Sequence, residues 1–315
     1  MPVTVLTEET TPVQQSAWAV QGRGPTGAPP LSAVIPAYNE AAALTAVLDA
    51  LRRVLDQLGG PYEILVVDDG SEDNTAELAR SQGLTVIEHG RNRGYGAALK
   101  SGIRRARYPW ILIADADGSY PMEAIPRLLA ETDRADMVVG ARCGGHDAEP
   151  RLRRLAKWFL RRLAMYLSEA QIPDLNSGLR IFKRERAMRL FPILPAGFSF
   201  TTTITLALLC NDEPVRFLPV EYYRRQGHSK IRPLRDTLNF INVILRTILY
   251  FNPLKVFVPT SLVTLGFCAV SLAYDLFILV DLTEKTLILL FAGVQLMAIG
   301  LLADMISRRI GSGAV

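Results

Sequence analysis

The sequence predicts an α/β domain built on a mainly parallel sheet, followed by interfacial helices and two membrane-spanning helices. Three observations predict it. Short apolar runs alternate with helically spaced stretches from Leu31 onward, acidic residues close two of those runs, and the C-terminal part holds two long apolar segments almost without charge.

The elements follow in order. "LSAVIPAYNE", starting at Leu31, is a strand running into a loop, and Ala41 to Leu58 carries Leu44, Val47, Leu48, Leu51 and Leu55 at helical spacing. "YEILVVDDGS" is a second buried strand ending in Asp68 and Asp69, and "SEDNTAELARSQG" is a capped helix closed by Gly83. "LTVIEHG" is a third strand, "YGAALKSGIRRARY" another helix, and "WILIADADG" the fourth strand. In such sheets ligands bind beyond the carboxyl ends of the strands. Asp68, Asp69, Asp115 and Asp117 all fall there.

Asp115 and Asp117 are separated by one small residue. Side chains at i and i+2 of an extended chain point to the same side, so the two carboxylates are expected to converge. Such repulsion is tolerated when a cation lies between them, when one keeps its proton, or when water screens both. Acids at the ends of two buried strands, beside a loop "PAYNE" after a third, favour a shared polar cleft over surface accident. The glycine-rich "RNRGYGAALKSG" is a poor dinucleotide fingerprint, because it follows the third strand and Leu99 stands where a third glycine belongs. Backbone amides facing a phosphate and a plain turn with a cap both stay open for it.

The 315 residues are 49% hydrophobic with a net charge of +4, and the apolar surplus sits at the C-terminus. Val256 to Val280 has one charge, Asp275, and Thr286 to Ala303 has none. A spanning helix needs roughly 20 apolar residues, so these are two transmembrane helices joined by the turn Asp281 to Lys285. Asp275 lies one turn from the outer boundary, where it reaches headgroups, and takes no assigned role. Arg246 and Lys255 precede the first span and Arg308 and Arg309 follow the second, which places both ends and the N-terminal domain in the cytoplasm. Residues 1–30 lack the positive start and apolar run of a signal peptide and suggest a flexible leader. Cys143, Cys210 and Cys268 are scattered without metal spacing, as expected of a reduced compartment.

"VIPAYNE", "VVDDGSEDNT", "NRGYGAALKSG", "DADGSYP", "DLNSGLRIF" and "RRQGHSKI" occur in that order between Leu31 and Ile231. Together they resemble the family 2 glycosyltransferases of the polyisoprenyl-phosphate hexose synthase type, relatives of dolichyl-phosphate mannose synthase. The two C-terminal spans resemble the membrane hairpin of bacterial members. The resemblance implies a GT-A fold over residues 31–231, an interfacial helix over 232–253, a hairpin over 254–306 and a cytoplasmic tail over 307–315. It implies that Pro36, Tyr38, Glu40, Val67, Asp69, Ala116 and Asp117 line the nucleotide pocket, Asp69 holding the base or ribose. Asp115 and Asp117 match the Asp-x-Asp that binds Mg or Mn on the donor diphosphate. Relatives often carry Gln two residues after the second Asp; Ser119 stands there, which leaves a third protein ligand to a hydroxyl or a water. Arg142, Arg225, Ser229 and Lys230 match positions meeting the phosphates of donor and lipid, with Asp117, Arg142 and Arg225 carrying catalysis. Asp174, Ser177, Gly178 and Arg180 shape the acceptor side by resemblance, and Asp174 in a turn is equally a cap.

The chemistry needs these residue types. A leaving nucleoside diphosphate requires its charge neutralised, which a divalent ion on carboxylates supplies. A lipid phosphate monoester, with a second pKa of about 6, is largely dianionic near neutral pH and needs cations rather than a general base. His89, His146 and His228 are accordingly expected at the surface. Arg151 to Leu167 has six basic residues in its first twelve and apolar residues at helical spacing. It is an amphipathic helix on anionic headgroups, Arg154 near the lipid phosphate, or else a solvated basic face. The implied partners are a UDP- or GDP-hexose, a polyisoprenyl phosphate and membrane lipids, with a second copy of the chain left open and no nucleic acid. The competing functions are a processive polysaccharide synthase, whose Gln-x-x-Arg-Trp string does not occur, and a non-catalytic nucleotide-sugar scaffold.

Overall fold

A computed structural model of the chain describes residues 27–143, 162, 164–166, 168–197, 199–223, 245–247, 249–279 and 281–312. Residues 1–26, 144–150, nearly all of the basic segment 151–167, residues 224–244 and therefore Arg154, Arg225, Ser229, Lys230, His146 and His228 lie outside the described residues. The chain divides into two compact units, Met1–Ile244 and Leu245–Val315.

The first unit runs β1 (Leu31–Ala37), α1 (Ala41–Leu58), β2 (Tyr62–Asp68), α2 (Thr75–Ser81), β3 (Thr85–Glu88), α3 (Tyr95–Arg105) and β4 (Trp110–Ile113). It continues through a short 3₁₀ turn (Met122–Ala124), α4 (Ile125–Leu129), β5 (Met137–Cys143), β6 (Arg180–Lys183), α5 (Arg184–Leu190), α6 (Phe200–Cys210) and β7 (Val215–Glu221). The seven strands form one sheet in the order β3-β2-β1-β4-β6-β5-β7. Every pairing is parallel except those of β6, which is antiparallel to β4 and β5.

Both faces of the sheet are covered, as a parallel sheet requires. Leu31, Ala33 and Ile35 of β1 share a core cluster with Leu44, Leu48, Leu51 and Leu55 of α1. Val34, between them in the alternation, faces the other way, where a Cβ on Gly102 of α3 would come within 2.3 Å of Val34 Cγ1. α1 stops at Gly59, whose φ of 62° is the left-handed conformation that closes a helix. Pro219 lies in β7, an edge strand, where a missing N–H costs no ladder bond.

The second unit holds α7 (Leu254–Tyr274), a π-helical turn (Asp275–Leu279) and α8 (Glu284–Ser312). Leu254–Ile278 and Glu284–Ser307 are long and apolar enough to cross a membrane, and Phe267, Val270, Phe277 and Phe291 are exposed along them. Small residues bring the helices close: Ser261 Oγ donates to Gly293 O at 2.8 Å, and a Cβ on Gly300 would meet Phe257 Cβ at 2.5 Å. The Asp275 side chain, expected to reach outward to headgroups, turns into the hairpin instead. It is 1% exposed, and its Oδ2 accepts from Thr283 N at 2.9 Å, Thr283 Oγ1 at 2.7 Å and Thr286 Oγ1 at 2.7 Å. A carboxylate that finds three donors in the hairpin's own turn is satisfied there without reaching outward.

Candidate active site

The strand order reverses between β1 and β4, the switch point beyond which open α/β sheets bind ligands. "PAYNE" leaves β1 on one side of that point, and "DADGS" leaves β4 on the other. Because β6 is antiparallel, its start lies at the carboxyl end of β4: Ile113 pairs with Arg180. One reversed strand thus delivers the "DLNSGLR" loop to the same edge. The outgoing ends of β5, with Arg142, and β7, with Tyr222 just beyond it, complete that edge.

The first two loops hold each other. Asn39, with φ 55°, accepts from Glu72 N at 2.8 Å through its side chain, and its own N–H donates to Ser71 Oγ at 2.9 Å. Glu40 N donates to Thr75 Oγ1 at 3.1 Å and Ala41 N to Asp73 Oδ2 at 3.2 Å. Asp68 is turned back onto Ser71, accepting from its N–H at 3.2 Å and from its hydroxyl. Pro36, Val67 and Ala116 are buried, while Tyr38 and Glu40 are partly exposed beside them.

The expected convergence of Asp115 and Asp117 on one side of a strand does not apply. β4 ends at Ile113, and the chain turns through Ala116 to Gly118, which has φ 72°. Asp115 accepts at Oδ1 from the Tyr95 hydroxyl at 2.9 Å. Burial, and then the charge of Asp115, raise the Tyr95 phenol well above its ordinary value, so it stays a donor. Asp117, 7% exposed, accepts Ser119 N at 3.0 Å across its own turn. The Ser119 hydroxyl is 1% exposed and has no hydrogen-bond partner among the described residues, a buried donor-acceptor left open beside two acids. Carboxylate and hydroxyl oxygens suit a hard divalent cation such as Mg or Mn. Among the described residues no group of three or more His, Cys, Asp and Glu is placed to hold a metal ion alone. An ion held by Asp115, Asp117 and Ser119 would need further ligands from elsewhere, which a diphosphate could supply.

Arg142 and Asp174 form a bidentate pair, Nε to Oδ2 at 2.7 Å and Nη2 to Oδ1 at 2.9 Å, and Arg142 N adds a bond at 3.2 Å. Burial alone pushes the Asp174 carboxyl up, but the bonded and charged guanidinium outweighs it and holds the group below the usual range. The Arg142 guanidinium lies 5.3 Å from the Tyr222 ring centroid, and Tyr222 meets Tyr120 edge to face. Tyr120 in turn accepts from Gly178 N at 2.8 Å, and Ser177 donates to Gly140 O at 2.5 Å. Asp174 does cap its turn as well, accepting Asn176 N at 3.0 Å.

Three residues are buried and spend their polar groups inside the protein. Arg180 is fully buried and meets no ligand from solvent; it donates to Ser177 O at 3.1 and 2.6 Å, to Thr201 O at 3.0 Å and to Thr205 Oγ1 at 2.9 Å. It shapes the loop from beneath. Asp69, 3% exposed, spends its carboxylate on Arg93 N at 3.0 Å, Gly94 N at 2.7 Å and the His89 ring at 2.6 Å. His89 is not at the surface but 7% exposed, because that pairing lets an imidazole be buried. The Gly94 loop resolves toward the plain turn: Arg93 and Gly94 amides go to Asp69, and Ala97 N goes to Gly94 O and Ala196 O, both at 2.9 Å. Tyr95, Tyr120 and Tyr222 escaped sequence reasoning, though the first two sit inside the motifs "NRGYG" and "DADGSYP".

A parallel sheet with paired acids beyond its switch point is the arrangement of a GT-A glycosyltransferase. The sequence profile named Glycosyl transferase family 2 matches residues 32–191, and the chain belongs to that family and is a glycosyltransferase. A second profile, GtrB C-terminal hairpin, matches residues 252–309. The chain is 33% identical over 205 residues, 64% of its length and 87% of the relative's, to a dolichyl-phosphate hexose transferase of Haloferax volcanii. It is 28% identical over 308 residues, 88% of either chain, to an undecaprenyl-phosphate 4-deoxy-4-formamido-L-arabinose transferase of Aeromonas hydrophila. Its fold is similar to that of glucosyl-3-phosphoglycerate synthase from Mycobacterium tuberculosis, solved with Mn2+, UDP-glucose and phosphoglyceric acid, at TM-score 0.56 and 21% identity over 70% of this chain and 80% of that one.

Proposed function

We propose that this protein transfers a hexose, glucose or mannose, from a UDP- or GDP-linked donor to a polyisoprenyl phosphate at the cytoplasmic membrane face, with inversion at the anomeric carbon. The observation that carries the reading is the presence in one chain of an acid-lined switch point, at Asp115 and Asp117, and a hairpin long and apolar enough to cross a membrane. The names of the two relatives, both transferases using a polyprenol-type phosphate, support it.

Pro36, Tyr38, Glu40, Val67 and Ala116 flank the nucleotide, with Asp69 supporting that side through the Arg93–Gly94 turn. Asp115, Asp117 and the Ser119 hydroxyl would hold a Mg or Mn ion, which when bound neutralises charge on the departing diphosphate. Arg142, kept in place by Asp174 and Tyr222, presents a fixed cation toward the donor phosphates. The lipid phosphate oxygen attacks the anomeric carbon as the bond to the diphosphate breaks, and a phosphate already ionised needs no base to take a proton. Arg225, Ser229, Lys230 and Arg154 are proposed to hold that phosphate, and the catalytic domain lies on the cytoplasmic side by the distribution of arginine and lysine around the spans. The test is incubation of the purified protein with labelled UDP- and GDP-hexoses, Mg2+ and polyprenyl phosphate. An organic-soluble labelled lipid is expected, and none with any common donor would refute the reading.

A further inference from the structure

We propose that His89 is a positioning residue for the Asp115 carboxylate, acting through Asp69 and the turn Arg93–Tyr95; the inference rests on the reading of the acid pair given above. His89 is the first residue after β3, and its N–H donates to Asp68 O at 2.9 Å, fixing where the ring starts. The ring is a bridge between two elements. Nδ1 lies 2.6 Å from Asp69 Oδ1, beyond β2, and Nε2 lies 2.9 Å from Ser101 Oγ on α3.

The Asp69 carboxylate passes that constraint on. Its two oxygens take the successive amides of Arg93 and Gly94, so its rotation would swing the turn. Gly94 has φ 100°, and a Cβ there would lie 2.6 Å from Ala196 O, so the turn has little room for another path. The next residue, Tyr95, opens α3 and carries the hydroxyl bonded to Asp115 Oδ1 at 2.9 Å. The opposite side of Asp115 is closed by Gly178, where a Cβ would come within 1.9 Å of Oδ2. The carboxylate is thus held between a wall and a hydroxyl whose position is set by the chain from Ser101 through the buried His89 and Asp69. Neighbours of this kind orient metal-binding carboxylates and tune affinity.

The test is calorimetric binding of UDP and of GDP to the full-length protein in detergent as a function of Mn2+, with folding followed by circular dichroism. Tyr95→Phe removes only the hydroxyl, and His89→Leu removes the ring's bonds; each is expected to raise the half-saturating Mn2+ roughly tenfold. Because both act on one path, the double variant is expected to lose no more than either alone, whereas His89→Asn, which keeps a donor toward Asp69, stays within about threefold of the parent. A purely structural histidine would lower the melting temperature and leave Mn2+ dependence within about twofold in folded Tyr95→Phe and His89→Leu, and that result overturns the inference. Should His89→Leu fail to fold, Ser101→Ala takes its place, with a rise of about threefold expected and an unmoved value counting against the proposal. A parent that binds neither nucleotide with Mn2+ overturns the reading of the site and this inference with it; a parent that binds, with unmoved variants, overturns this inference alone.

Discussion

Gly178 forms the wall against which Asp115 rests: a Cβ built on it falls 1.9 Å from Oδ2 and 2.4 Å from Cγ. One motif supplies the acid and another, far along the chain, supplies a residue with no side chain to crowd it. Gly178→Ala is expected to displace the carboxylate and lower turnover about a hundredfold, near 3 kcal/mol of transition-state stabilisation. Steady-state rates with Mg2+, beside melting curves, check this. A rate within threefold of the parent would show that Asp115 moves without consequence.

Ser119→Ala separates stability from ion binding. Removing a buried hydroxyl that has no partner among the described residues relieves a cost of about 1 kcal/mol, so the metal-free variant is expected to melt slightly higher than the parent. Its half-saturating Mg2+ is expected to rise several-fold, while Asp117→Ala abolishes turnover. Melting temperature and Mg2+ titration read the two effects independently, and an unmoved Mg2+ requirement would remove Ser119 from the ion's shell.

Breaking the Arg142 pair is expected to cost more than removing an exposed ion pair. Asp174 is partly buried, its side chain 11% exposed, and Asp174→Asn leaves the guanidinium facing a neutral partner, a loss of about 2 kcal/mol, less than for a fully buried pair because the Arg142 side chain is 31% exposed. Arg142→Lys keeps the charge but gives up the two-pronged bond and the contact with Tyr222, so turnover should fall at least tenfold with a smaller stability change. Urea denaturation and rates distinguish the two variants, and equal stability losses would contradict this account.

Away from the site, Glu213 introduces a pH dependence. Burial, and then bonding to Asp136, raise its carboxyl from 4.5 to about 7 despite the Arg186 guanidinium 2.7 Å away. The folded value lies above the unfolded one, so the native state holds a proton that the unfolded chain has lost between those limits. That contribution is fully present below the unfolded value and is lost as pH rises to about 7. Glu213→Gln, permanently neutral, is expected to melt higher than the parent above pH 7 and alike below 4.5. Parallel melting profiles across that range would show that Glu213 ionises normally.

The first four strands were legible because they are short apolar runs, and the leucines of α1 repeat at helical spacing, whereas β5 and β7 went unread. The acids at the strand ends were legible for the same reason. The reversal of β6 was not, since "RIFK" is equally good in either direction and its partners, β4 and β5, decide. Nor was the burial of Arg180, whose acceptors Thr201 and Thr205 lie 21 and 25 residues away. Asp275 and His89 were misplaced because a charge or imidazole was weighed without the threonines and the aspartate that satisfy it. The extended geometry assumed for Asp115 and Asp117 failed where the chain turns at Gly118.

Arg180 has a consequence for how the site responds to its medium. Burial lowers its pKa, yet an arginine starts so high that it remains a cation near neutrality. Its partners are uncharged carbonyl and hydroxyl oxygens, and the carboxylates of Asp174 and Asp115 feel its charge through protein rather than water. Mobile ions screen exposed arginines over about 8 Å at physiological ionic strength, but they have no access to this one. The floor beneath the acids therefore carries a field that salt does not dilute.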